Sequence, residues 1–100
     1  MKTERFQTLV SKNPNNELFR FSLAQALIEE EHHEEAIEHL DFCINKKDDW
    51  MMAEILKGKS LLALQRNEDA KPSLERALKL AVDQNHEGPE AELRKLLESL

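Results

Sequence analysis

The sequence predicts an all-α chain, a stack of antiparallel helix pairs, and three observations carry that prediction. Apolar residues recur at helical spacing almost from end to end, and no stretch alternates like a strand. The chain also matches itself when shifted by 34 residues. Glu34–Ile44 (EEAIEHLDFCI) laid over Glu68–Leu78 (EDAKPSLERAL) puts Ala36 on Ala70, Leu40 on Leu74 and Cys43 on Ala77. Upstream, the same shift puts Ala24 on Gly58, Leu27 on Leu61 and Ile28 on Leu62. The small and apolar positions match while the charged ones drift, so what repeats is packing. Finally, 40% apolar and 34% charged residues, with two Gly and three Pro, make a soluble helical composition.

The elements follow in order. Phe6, Leu9 and Val10 share one face of a first short helix, which Ser11–Asn16 (SKNPNN) ends. Pro14 disfavours helix in the residue before it, and Asn15 or Asn16 caps the next helix. That second helix is expected from about Glu17 to Glu30, burying Leu23, Ala24 and Leu27. A turn at His32–His33 leads into a third, His33 to Asn45, with Lys46 and Lys47 against its negative end. Asp48 or Asp49 is expected to cap a fourth, Trp50 to Leu64. Asn67 is expected to cap the fifth, with Glu68 and Asp69 in its electropositive first turn. Pro72 has no N–H to donate and is expected to bend that helix or loosen its start. The helix continues to about Asp83, and QNHEGP breaks it. Gly88–Pro89 then opens a last helix with Pro in its first position, lined on one side by Leu93, Leu96, Leu97 and Leu100.

A 34-residue period with two helices per unit resembles the tetratricopeptide repeat. The family's first helix carries a Leu-Gly pair and a bulky residue one turn later. Leu23-Ala24 with Leu27 resembles that set, as does Lys57-Gly58 with Leu61. The second helix carries Ala, a bulky apolar residue and Ala, matched by Ala36, Leu40, Cys43 and by Ala70, Leu74, Ala77. The family's Trp slot holds Arg20 and Glu54 instead, and its closing Pro slot holds Asp48 and Val82. Carried backwards, the register places Phe6 in a bulky slot and Pro14 in a closing Pro slot. The resemblance implies one right-handed superhelical domain over 1–100: a half repeat at 2–14, repeats at 17–50 and 51–84, and a capping helix at 88–100. In this frame Gly58 marks a close helix approach that Leu would overfill but Ala, as at Ala24, would fit.

Several function classes are excluded or set aside. The net charge of −6 argues against nucleic acid, whose phosphates demand a clustered basic face. No apolar run is long enough for a membrane span, and charges scattered through Met1–Val10 are unlike a signal peptide. With a single Cys there is no internal disulfide, which favours the cytoplasm. Glu29, Glu30, Glu31, Glu34, Glu35 and Glu38 read as a solvated helix end and turn. Gly58 and Gly88 are too isolated for a phosphate-binding loop, so no cofactor is implied. His32, Glu35 and His39 share a helix face by spacing and give a remote alternative, a metal site or an enzyme. However, His33 and His39 are six apart rather than four, and His32 falls in the turn. Cys43 occupies an Ala slot as a small buried residue.

Function is therefore expected from a surface. In the family, the exposed face of the first helices lines a concave groove. Here those positions are Leu18, Phe21, Gln25, Ile28 and Glu29, then Met52, Ile55, Lys59, Leu62 and Ala63, with Trp50 and Met51 beside the entrance. Only Lys59 resembles the Lys, Asn and Arg set that clamps a peptide carboxylate in part of the family. The expectation is a non-enzymatic module that binds another protein or peptide, an apolar segment or an amphipathic helix. The alternative is self-association, a homodimer through the same groove.

Overall fold

The computed structural model describes residues 2–100, and its backbone repeats with the sequence. Among the described residues six helices follow one another: α1 (Lys2–Lys12), α2 (Glu17–Glu29), α3 (His33–Lys46), α4 (Met51–Ala63), α5 (Asn67–Asp83) and α6 (Glu87–Glu98). Helices α2 and α4 start 34 residues apart and end 34 residues apart, and α3 and α5 also start 34 apart. Helix α5 then runs three residues longer than α3, which carries α6 out of register. Each helix packs chiefly on its neighbours in the chain, in a slab of about 40 × 27 × 20 Å. Among the described residues, no helix is long and apolar enough to cross a membrane.

The turns explain where the helices stop. After α2, the Glu31 N–H bonds the Ile28 carbonyl at 2.9 Å and the His32 N–H bonds Leu27 at 2.8 Å. The same pair recurs as Gln65 to Leu62 with Arg66 to Leu61, and as Asn85 to Val82 with His86 to Ala81. This closure needs a left-handed residue, and Glu31 (φ 62°), Gln65 (φ 60°) and Asn85 (φ 58°) supply it without glycine. Because the closing N–H belongs to the residue before the next helix, that residue becomes the cap.

This corrects three expectations. Arg66, not Asn67, caps α5, and Asn67 is already helical. His86 caps α6, so Pro89 lies third rather than first, still among the N–H groups that have no helical partner. Trp50, not Asp48 or Asp49, caps α4, since the Trp50 and Met51 N–H groups bond the Lys47 and Asp49 carbonyls. Asn16 does cap α2, its Oδ1 accepting from the Phe19 N–H at 3.1 Å. Helix α5 passes through Pro72 without a break. The missing bond would have gone to the carbonyl of Glu68, an exposed residue whose carbonyl water can serve.

Two apolar clusters make the core. Leu23, Ala24, Leu27, Ala36, Leu40, Cys43 and Ala53 form the first, with Phe6 and Val10 of α1 packed against it. Leu61, Ala70, Leu74, Ala77, Ala81 and Leu93 form the second, together with Met51 and Ile55. Leu93 thus brings α6 over the face of α5. Gly58 sits in a close contact of α4 with α5, as expected, but the contact has no room for an alanine unless Leu74 shifts. A Cβ there would lie 2.5 Å from Leu74 Cδ2 and 2.8 Å from its Cγ, and Leu74 is fully buried. Ala24 is no guide to position 58.

The slot that departs from the family is filled by charge. Arg20 lies with its guanidinium carbon 4.2 Å from the centre of the Phe42 ring. Its Nε donates to the Pro14 carbonyl at 3.0 Å, and its Nη1 is 3.5 Å from His39 Nδ1. Shifted by 34, His39 and Phe42 become Ser73 and Arg76. Glu54 is 2% exposed and accepts from Arg76 Nε, while Arg76 Nη2 lies 3.4 Å from the Ser73 hydroxyl. One geometry holds two chemistries, a cation in the first repeat and an anion in the second.

Candidate binding groove

The largest exposed apolar residues on α2 and α4 are one pair under the 34-residue shift. Leu18 is 64% exposed and Met52 is 42% exposed, each in the first turn of its helix. Both line a cleft of about 670 Å3 with Glu17, Lys47, Asp49, Trp50, Met51, Gln84 and His86. The half-buried Trp50 stacks on Phe21, ring centres 4.9 Å apart and planes 26° apart, within the favourable range for offset aromatic pairs. The Gln84 side chain donates to the Asp49 carbonyl at 3.0 Å and ties the α5–α6 turn to the α3–α4 turn. The cleft therefore has an apolar floor and walls drawn from three turns on one edge of the stack.

Of the residues expected in the groove, Leu18, Trp50 and Met52 meet in this cleft, with Phe21 behind Trp50. Gln25 lies apart, in a smaller hollow between α1 and α2 with Lys2, Phe6 and Glu29. Ile28 packs on the first core cluster and Leu62 on the second. Ile55 is only 5% exposed and belongs to the second core cluster. Lys59 is exposed, and its ammonium pairs with Glu92 of α6. Gln84 and His86 were not legible as lining residues. Nothing in their local sequence says that the α5–α6 turn reaches the start of α4.

The histidine cluster divides between two helices. His39 faces Arg20 of α2, whereas His33 Nδ1 lies 3.4 Å from Ser60 Oγ of α4. Among the described residues, no three His, Cys, Asp or Glu side chains gather as metal ligands. Burial, and after it the Arg20 charge, lowers the pKa of His39, against the opposing pull of Glu35 and Glu38. The buried Cys43 thiol donates to the Glu17 carbonyl at 3.4 Å, and burial pushes its pKa up to about 11. At neutral pH it is a thiol, not the thiolate that a nucleophile needs.

No protein-family model matches the sequence, and no curated protein matches it in sequence. Solved structures do match in fold. The TPR2B domain of yeast Sti1, in a pHsp70 complex, superposes with a TM-score of 0.84 at 20% identity, over 96% of this chain and 77% of that one. The first TPR of Spaghetti (RPAP3), bound to the HSP90 peptide SRMEEVD, gives 0.80 at 23% identity, over 97% and 75%. A tetratricopeptide repeat domain protein from Salinibacter ruber gives 0.74 at 19%, over 86% and 87%. The fold is that of a tetratricopeptide repeat domain, an all-α superhelical stack of helix pairs.

Proposed function

We propose that this chain is a non-enzymatic protein-interaction module holding an apolar segment of another protein in the cleft at the starts of α2 and α4. The observation that carries the reading is the exposure of Leu18 and Met52 at equivalent positions of two repeats, beside a stacked Trp50. Exposed apolar side chains gathered on one cleft, rather than scattered singly, support a partner site. Leu18, Trp50 and Met52 are the anchors in this reading. Phe21 backs Trp50 by stacking on it, whereas Ile28, Ile55 and Leu62 serve the core and Gln25 and Lys59 lie outside the cleft. Two of the structural neighbours carry bound partners, pHsp70 and an HSP90 peptide, which supports a peptide or protein as ligand. The unpaired Cys43 suits a reducing compartment, and the reading places the module in the cytoplasm.

The test is selection from a displayed library of random peptides on the wild type and on Leu18→Ser/Met52→Ser. Both positions are exposed, so the double variant should keep its helicity. Peptides enriched by the wild type and lost by the variant support the reading. Equal enrichment by a folded variant would place the binding surface elsewhere.

A further inference from the structure

The charges around the cleft say more about its occupant than its apolar floor does, and the inference rests on the reading of the cleft as a peptide site. We propose that the cleft takes a segment whose apolar anchor is flanked by cationic side chains, and disfavours an acidic or carboxylate-terminated one.

Glu17 and Asp49 put two carboxylates on the lining, and among the described residues neither engages a salt bridge. Lys47 is the one Lys or Arg of the lining. The starts of α2, α4 and α6 meet here, and their partial positive charge favours an anion. Glu17 lies in the first turn of α2, whose start the Asn16 side chain also caps, and Asp49 lies just before the Trp50 cap of α4. On the lining itself Glu17 and Asp49 carry two full negative charges against the one positive charge of Lys47, and the helix starts oppose them only with partial charges that fall off within a turn. Lys59, the groove cation nearest in type to a carboxylate clamp, is engaged by Glu92. At longer range the chain carries −6, which repels both an acidic peptide and a second copy of itself. The anchor fits Leu18, Met52 and Trp50, since the unbranched Met52 adapts to a varied apolar side chain.

Trp50 is the chain's single Trp and lies in the cleft, so its emission reports occupancy directly. Three synthetic probes are titrated: a leucine-centred peptide with Lys and Arg flanks, the same peptide with Glu flanks, and SRMEEVD. The cationic probe is expected to bind roughly 3- to 30-fold tighter than its acidic counterpart, by two screened charge pairs. The advantage should shrink with added salt and vanish in Glu17→Gln/Asp49→Asn. If these carboxylates serve only the helix starts, that variant lowers the melting temperature and leaves the preference unchanged, which overturns the proposal. Equal or tighter binding of either acidic probe also overturns it, while leaving the cleft as the site. Failure of the cationic probe to bind below about 1 mM overturns it as well. Cationic-probe binding that survives Leu18→Ser/Met52→Ser sinks the cleft reading itself.

Discussion

Replacing Gly58 by alanine tests the α4–α5 contact with a change of sign. In an exposed helix the replacement stabilises by about 1 kcal/mol, because alanine is the better helix former. Here the new Cβ would meet Leu74 at 2.5 and 2.8 Å, where ordinary contact begins at 3.4 Å. Leu74 is fully buried among Ala70, Ala77 and Leu93, so it yields only by displacing packed neighbours. Overpacking of this kind costs about 1–3 kcal/mol, which leaves Gly58→Ala neutral to destabilising by about 2 kcal/mol. Leu74→Ala removes both clashing atoms, at a cost of about 2–5 kcal/mol for the cavity. In that background Gly58→Ala should stabilise by about 1 kcal/mol. Urea unfolding followed by circular dichroism on the four proteins gives the coupling, expected at about 1–3 kcal/mol. A gain of about 1 kcal/mol in both backgrounds would mean a coupling near zero and refute the close approach.

Two further perturbations probe other parts of the structure. The lowered pKa of His39 means that the unfolded chain binds a proton more readily than the folded one. Stability from this site is complete above the unfolded value of 6.5 and is lost as pH falls through it towards the folded value. Melting temperature should therefore drop between about pH 8 and pH 5.5 more in the wild type than in His39→Asn, and identical slopes would remove His39 from the account. Gln65 holds a left-handed conformation at φ 60°, costing about 1–2 kcal/mol, so Gln65→Gly should stabilise despite the extra freedom of the unfolded chain. A net gain of about 0.5–1 kcal/mol raises the melting temperature by roughly 2–8 °C, and no rise would show that the turn is unstrained.

How much of this was legible depended on whether the signal was local. Apolar spacing and the 34-residue shift placed all six helices to within a few residues, and Asn16 was readable as a cap because its partner, Phe19, is three residues on. The caps of α4, α5 and α6 were not readable. There the turn closes on backbone groups, and a carboxylate or amide nearby in sequence is no guide to them. Gly58 was recognisable as a close approach, but its tightness is set by Leu74 on another helix. The cleft shows the same division. Leu18 and Met52 follow from the shift, whereas the burial of Ile55 and the arrival of Gln84 and His86 come from how α5 and α6 stack.

The two charged slots bear on how the chain avoids folding wrongly. Repeats with like packing faces invite helices to pair with the wrong partner, a known failure of such arrays. If α2 closed on α5, Arg20 would land beside Arg76 and the two guanidinium groups would repel. If α4 closed on α3, Glu54 would be buried against Phe42 and His39 with no guanidinium to receive it. Glu54 is buried, and a buried carboxylate left without its guanidinium partner is costly. The small apolar positions make the repeats interchangeable, and Arg20 and Glu54 make them distinct. Each first helix thus bears a mark that only its own second helix can answer.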